Sequence, residues 1–411
     1  MTEILKAEND QQVLETLKWA AAEEKPLEVR GGRSKSSLGR PTEIDHVLDL
    51  SALSGVTYYE PSELVLAAGA ATPVAEVEAA LTENNQQMAF EPPDLGPLMG
   101  IAAGQGTLGG LLSCNLAGPR RIKAGSARDH FLGFNAVSGR GEEFKSGGRV
   151  VKNVTGFDLS KLLAGSYGTL AVMTEVTLKV LPAPEKVRTV LISWSKDGIY
   201  DHGGVKALTD AMASAHEVSG AAHLPAAIAK RSAVDYVAGS GRAVTAIRVE
   251  GPEPSVAHRC DALKSLLGKY GDMEELHTAN STVLWREIRD VACFADEHDR
   301  DVWRISVPPA SGSRVALKIL EGRPGEALYD WSGGLIWLAL NPTPDACASV
   351  VRQTVAEFGG HAMLVRAPEA VRLRVPVFEP QDGALENITR RIKEGFDPHG
   401  ILNPGRMYEE T

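Results

Sequence analysis

The sequence predicts an α+β protein in two unlike parts, and three observations carry that prediction. Up to residue 182, short apolar runs are set against glycine-rich loops, ending in a long alternating run from Gly168 to Leu181. A proline-rich break, Pro182-Ala183-Pro184, then stops that run. From Val187 to Arg366 strand-like and helix-like segments alternate at regular spacing, and the strands carry polar outer residues. That pattern fits an antiparallel sheet covered on one face. The expected domains are 1–182, 183–380 and a helix and turn segment, 381–411; 411 residues suit two or three domains at roughly 150 residues each.

The elements follow in order. Asn9 or Asp10 caps a helix whose Val13, Leu14, Leu17, Ala20 and Ala21 share a face. A strand, Leu27 to Arg30, breaks into the loop Gly31-Gly32-Arg33-Ser34-Lys35-Ser36-Ser37. Backbone N–H groups, hydroxyls and two cations there suit a pyrophosphate, and they suit a solvated basic turn as well. Asp45–Leu50 and Leu64–Ala68 read as strands, and Thr72-Pro73 opens a helix with Thr72 as cap. Thr107 to Leu116 reads as a helix whose first-turn N–H groups are free to face a ligand. Leu132 to Lys145 forms a hairpin about Gly139-Arg140-Gly141. Further on, strands are expected at Val187–Trp194, Ala243–Glu250, Val302–Val307, Leu335–Leu340 and His361–Arg366. Helices are expected at Val205–Val218, Ser255–Leu267, Thr282–Ala292, Ser313–Leu320, Asp345–Phe358 and Gly383–Gly395. Their order admits two similar halves, without a residue-level repeat.

Composition removes several functions. A net charge of −10 argues against nucleic acid as the main partner. No apolar run approaches the ~20 residues of a membrane span, and the N-terminus lacks the basic-then-apolar order of a signal peptide. The four cysteines, Cys114, Cys260, Cys293 and Cys347, lie far apart, so iron–sulfur or structural zinc ligation is not expected, and no metal site is. Dispersed thiols fit a reducing, cytoplasmic setting.

Chemistry concentrates between Gly104 and Val180. Glycine recurs every few residues there, as backbone must when it approaches a large flat ligand closely. Asn, Ser and Thr supply hydrogen bonds without buried net charge, which fits an aromatic cofactor with polar edges. Gly104, Gly106 and Gly109 spell G-x-G-x-x-G, with Asp129 beyond. Upstream, however, lies the proline-rich loop E-P-P-D-L-G-P, where a dinucleotide-binding βαβ unit needs a strand.

Four landmarks occur in one order: R-G-G-R-S-K after a strand, G-T-L-G-G-L-L-S-C-N-L-A-G, G-S-Y-G-T-L-A-V-M-T-E-V-T-L-K-V, and a terminal F-D-P-H-G-I-L-N-P-G. The ordered set resembles the vanillyl-alcohol-oxidase, or PCMH-type, family of FAD-binding proteins. More narrowly, A-G-P-R-R at Ala117–Arg121, V-K-N-V-T-G-F-D-L-S at Val151–Ser160, W-R-I-S-V-P at Trp303–Pro308 and N-P-G-R-M-Y at Asn403–Tyr408 are similar to the short FAD-binding subunits of glycolate oxidase. The resemblance implies a two-subdomain PCMH-type FAD-binding domain followed by an antiparallel-sheet cap, with the C-terminal segment returning to the first domain. It implies that Gly31, Gly32, Arg33, Ser34 and Lys35 hold the FAD pyrophosphate. Thr107, Gly109, Gly110, Ser113 and Asn115 would line the ribityl chain and ring, and Gly125, Arg128 and Asp129 the flavin edge. Gly168, Thr169, Leu170 and Met173 would run past the adenine, with Asn403 returning towards the flavin.

The function implied is oxidation of glycolate, a 2-hydroxy acid, to glyoxylate. FAD is bound non-covalently, and electrons pass to a larger FAD-containing subunit and an iron–sulfur subunit. The setting is cytoplasmic, reaching the inner membrane through partners. The alternatives are a stand-alone 2-hydroxy-acid or alcohol oxidase and a scaffold subunit with an empty cofactor site. Larger relatives carry an H-x-x-G-D-G-N-x-H-type element that this sequence lacks. A hydroxy acid still needs a cation for its carboxylate, for which Arg304, Arg372 and Arg374, in or near cap strands, are the catalytic candidates.

Overall fold

The computed structural model describes residues 2–148, 156–194 and 200–409. Residues 151–155 of the Val151–Ser160 motif lie outside them. The chain clusters into two compact units. One comprises Met1–Ala117, Gly125–Ala183 and Pro380–Thr411; the other comprises Gly118–Ala124 and Pro184–Glu379. The short stretch 118–124, which the sequence leaves in the first domain, thus belongs with the second unit.

In the first unit, Asn9 caps the helix Asp10–Ala22 by accepting from Gln12 N. Val13, Leu14, Leu17 and Ala20 pack on Leu27, Leu48, Ile401 and Leu402. Full burial of each large side chain contributes about 1.5–3 kcal/mol. Three parallel strands, ordered Glu3–Lys6, His46–Asp49, Leu27–Arg30, sit in this layer. A second sheet runs Val56–Glu60, Val65–Gly69, Ala171–Lys179, Phe131–Ser138, Glu143–Gly147, with every neighbouring pair antiparallel. The expected α+β class holds.

Two local expectations need correction. Thr72 does not cap the helix Val74–Thr82; Pro73 takes the cap position without a side-chain bond. The Thr72 hydroxyl donates instead to Gly69 O at 2.7 Å and accepts from Gly55 N at 2.9 Å, closing the loop that enters the helix. The long strand expected from Gly168 to Leu181 starts only at Ala171. Positive φ at Tyr167 and Gly168 turns the chain first.

The second unit is one eight-stranded sheet. Its order is Asp272–Leu276, Lys186–Ser193, Val244–Gly251, Gly220–Leu224, Gly325–Asp330, Leu335–Leu340, Asp301–Ser306, His361–Arg366. The two similar halves that the sequence only admits are real. Each runs strand, helix, strand, strand, helix, strand in the order 4-1-3-2, a ferredoxin-like unit. The halves meet at their second strands through the register pair His223–Tyr329. Tyr329 OH donates to Asp201 Oδ2 at 2.7 Å, and His223 Nδ1 shares a hydrogen at 2.8 Å with Thr245 Oγ1. Helices cover one face of each half, where Val190, Ile192, Ile247 and Val249 face them in the first and Trp303, Ile305, Ile336 and Leu364 in the second.

The stretch 118–124 is pinned to this sheet. Arg120 grips Glu250 with two bonds, Nε to Oε2 at 2.9 Å and Nη2 to Oε1 at 2.8 Å. Burial works to raise the Glu250 carboxyl, but the charges of Arg248 and Arg120 outweigh it and bring it down to about 2. A carboxyl depressed in the folded state stabilises above its unfolded value, and that contribution is lost as pH falls through the folded one. We expect Glu250→Gln to remove stability on the order of 3 kcal/mol at neutral pH, with the difference from the parent shrinking between about pH 4.5 and 2. Urea unfolding of both proteins across that range is the measurement.

Candidate functional site

The first unit contains an open cleft of about 820 Å³, open solvent included. Its floor is built where the strand Leu27–Arg30 ends and the loop Gly31–Lys35 begins, facing the helix Leu108–Ser113. Arg33 has φ +60°, the left-handed conformation found in backbone nests that take anions. Among the described residues, none of the backbone N–H groups of Gly31, Gly32, Arg33, Ser34 and Lys35 donates to a protein acceptor. Five consecutive amides left in that state, those of Gly32 and Arg33 at the solvent-exposed tip, are available to an acceptor from outside the chain.

Lys35 adds a charge. Its ammonium donates to Ser34 Oγ at 3.2 Å and has no carboxylate in ion-pair range among the described residues. Burial depresses it below the usual lysine range, against the pull of Cys114 and Asp94. An anion beside it offsets that desolvation. Burial raises the Cys114 thiol, although Lys35 and Arg406 pull it down, so the thiol stays protonated.

The helix contributes differently from its expected role. Leu108 N donates to Thr72 O at 2.9 Å, Gly109 N to Ala70 O at 2.7 Å, and Gly110 N to Thr107 Oγ1 at 3.4 Å. The first-turn N–H groups expected to be free are therefore spent, two on the segment that follows the strand Val65–Gly69 and one on the helix's own cap. Gly109 is required for that approach, since a Cβ there would lie 2.8 Å from Ala70 O. The amides without a protein acceptor are those of the 31–35 loop instead.

The cleft brings together Gly31, Gly32, Arg33, Ser34 and Lys35 with Thr107, Gly109, Gly110 and Ser113, and with Gly168, Met173 and Asn403. Asn115, Gly125, Arg128, Asp129, Thr169 and Leu170 do not line it. Asn115 Oδ1 accepts from Arg128 N at 3.0 Å, and Asp129 closes a capping box with Ser126. Thr169 turns its hydroxyl to Ser166 O at 2.7 Å. The sequence reading missed Tyr167, Cys114 and Arg406, which also line the cleft.

The C-terminal segment completes the walls. Asn403 Oδ1 accepts from Val29 N at 3.0 Å, while Nδ2 donates to Tyr167 O and Gly168 O, each at 3.1 Å. Arg406 Nη2 donates to Lys35 O at 2.6 Å. Behind them, buried Lys393 uses its three protons on Thr169 O, Asp397 Oδ2 and Leu402 O at 2.8, 2.7 and 2.9 Å. Asp397 accepts in turn from Ile401 N and Leu402 N.

In the second unit only one candidate arginine lies on a strand. Arg304 belongs to Asp301–Ser306. Arg372 ends the short helix Glu369–Arg372, buried, with Nε on Ala367 O at 3.1 Å. Arg374 follows it and donates to Ala370 O and Pro344 O. The expectation of strand positions for these two is corrected: P-E-A-V-R-L-R is a proline-initiated turn of helix.

Amides without acceptors, a lysine and a glycine-lined floor fit a dinucleotide carrying a pyrophosphate, and comparison with known proteins agrees. Residues 2–147 match the FAD binding domain family. The chain is 33% identical over 407 residues to glycolate oxidase subunit GlcE of Escherichia coli (strain K12), covering 97% of each. It is 27% identical over 353 residues to glycolate oxidase subunit GlcD of Bacillus subtilis (strain 168), covering 78% of this chain and 70% of that one. Among solved structures, p-cresol methylhydroxylase with substrate bound matches 99% of this chain and 88% of its own at a TM-score of 0.72. At 14% identity, that likeness speaks for the fold alone. FAD is the cofactor, and the chain belongs to the family of glycolate oxidase subunit GlcE, FAD-dependent oxidoreductases.

Proposed function

We propose that this chain is the FAD-binding subunit of a glycolate oxidase-type complex, taking part in oxidation of glycolate to glyoxylate and passing electrons to partner subunits. The observation that carries this reading is the run of acceptor-free amides at Gly31–Lys35, in a chain that matches a glycolate oxidase subunit end to end. Bound FAD supplies a two-electron acceptor for hydride. The chain's own residues bind and orient it: the 31–35 amides and Lys35 hold the pyrophosphate, and Asn403 and Arg406 fix the loop that carries them.

The partners proposed are a larger FAD-containing subunit and an iron–sulfur subunit. Onward transfer through a cluster needs grouped thiolates, and Cys114, Cys260, Cys293 and Cys347 are dispersed along this chain. Among the described residues no helix is long and apolar enough to cross a membrane. A cytoplasmic site that reaches the inner membrane through partners belongs to the same proposal. Kinetics decide it: the isolated chain should turn over glycolate far more slowly than the assembled complex. Equal rates would promote a stand-alone oxidase.

FAD is held without a covalent bond in this reading. The cleft's cysteine is a protonated thiol, and no histidine lies in the loop Gly31–Ser37. Acid precipitation should release all flavin to the supernatant; a yellow pellet would refute it.

A further inference from the structure

Alternation along Asp301–Ser306 sends Trp303 and Ile305 towards the helices, and Arg304 and Ser306 to the opposite face of the sheet. Ser306 pairs in register with His361, and Arg304 with Met363, so His361 shares that opposite face. At the adjoining sheet end, Trp331, Ser332 and Gly333 make a left-handed run with φ +50°, +60° and +91°. Strain of that kind persists where the surroundings hold it. The Trp331 indole is buried and donates through Nε1 to Gly118 O at 3.0 Å.

Two guanidiniums lie against this one ring, Arg121 at 4.3 Å from its centroid and Arg304 at 5.1 Å. Their carbons are therefore no more than about 9 Å apart. His361 is accessible at the sheet edge. Shielding around its ring, then the charge of Arg304, hold it below the usual imidazole range against the pull of the Glu379 carboxylate, with Arg121 adding a smaller push. Neighbouring Arg120 is saturated by the bidentate Glu250. Arg121 has no ion pair among the described residues, and neither it nor the His361 ring has a side-chain hydrogen bond there. Both positive charges act on the His361 ring, and an anion placed there offsets them.

We propose that Arg121, Arg304 and His361 form a binding site for a small 2-hydroxy or 2-oxo monocarboxylate. A guanidinium fork takes the carboxylate in two bonds, and the imidazole and the Ser306 hydroxyl are placed for the neighbouring oxygen. The class of acid rests on the glycolate oxidase reading; the preference for an anion rests on this cluster alone.

Calorimetry on the FAD-loaded chain tests it, with glyoxylate as the probe and sulfate as the comparison anion. We expect one saturable glyoxylate site, weakened at least about tenfold by Arg121→Gln and by Arg304→Gln, with flavin content unchanged. Unchanged affinity in both variants overturns the site, and so does failure of the parent to bind. Sulfate binding as tightly as glyoxylate overturns its selectivity for the acid. Should Arg121→Gln unfold the second unit, Arg121→Lys decides, since it keeps the charge and loses the fork: weaker binding supports the site and equal binding overturns it. A parent chain without flavin would instead sink the cofactor reading, and glyoxylate binding by that apo chain would still report on the cluster.

Discussion

Gly32→Val should abolish FAD binding while the second unit still folds. A Cβ at Gly32 would fall 2.2 Å from Gln105 O, a backbone atom that cannot swing aside. The loop has to move, and the five amides of Gly31–Lys35 lose their common focus. We expect FAD affinity to drop at least about a hundredfold, with loss of the ~2.7 kcal/mol of linkage stabilisation that FAD at a hundred times its Kd provides. Gly106→Ala is the control, because a Cβ there meets Lys35 Nζ and Val74 Cγ2 at 3.7 Å and Ser34 Oγ at 4.0 Å, all ordinary contact distances. Flavin fluorescence titrations of the two apoproteins make the comparison. Parent-like binding by Gly32→Val would remove the loop from the cofactor site.

Lys393→Met should cost about 3–5 kcal/mol, the range for stripping one partner from a buried ion pair. The Asp397 side chain is fully buried and that of Lys393 nearly so, and the ammonium also holds two carbonyls. One of them belongs to Thr169, beside the cleft wall at Gly168, so FAD should also bind more weakly. The double variant Lys393→Met/Asp397→Asn should lose less than the two single losses added together, because neutralising Asp397 removes the unpaired charge. Strict additivity in urea unfolding would show that the pair is not coupled.

Much of this was legible in the sequence because it rests on local signals. Asn9 before an apolar 3.6-residue pattern marks a helix start anywhere, and it marks one here. The glycine and serine loop after Leu27–Arg30 stands out for the same reason. Strands with weak local signals were lost. Gly220–Leu224 reads G-A-A-H-L, too small to look apolar, and Asp272–Leu276 is an edge strand of mostly acidic residues. Both become strands through pairing with residues far along the chain, on Val244–Gly251 and Lys186–Ser193. Arg121 is not legible as a site residue, because nothing in A-G-P-R-R says that its second arginine meets an indole 210 positions later. The spent amides of Leu108, Gly109 and Gly110 were hidden likewise, since their acceptors are carbonyls and a cap hydroxyl set by tertiary approach.

The bond from Val29 N to the Asn403 side chain spans 374 positions. On a ribosome adding about 5–20 residues per second, the nascent loop at Gly31–Lys35 waits roughly 20 to 75 seconds before the residue that braces it has been made. Vitamin-derived cofactor reaching the nascent chain in that interval meets a half-built cradle. Closure of the cleft wall thus waits for Asn403, and a chain truncated before it lacks the bond that braces the strand leading into the loop.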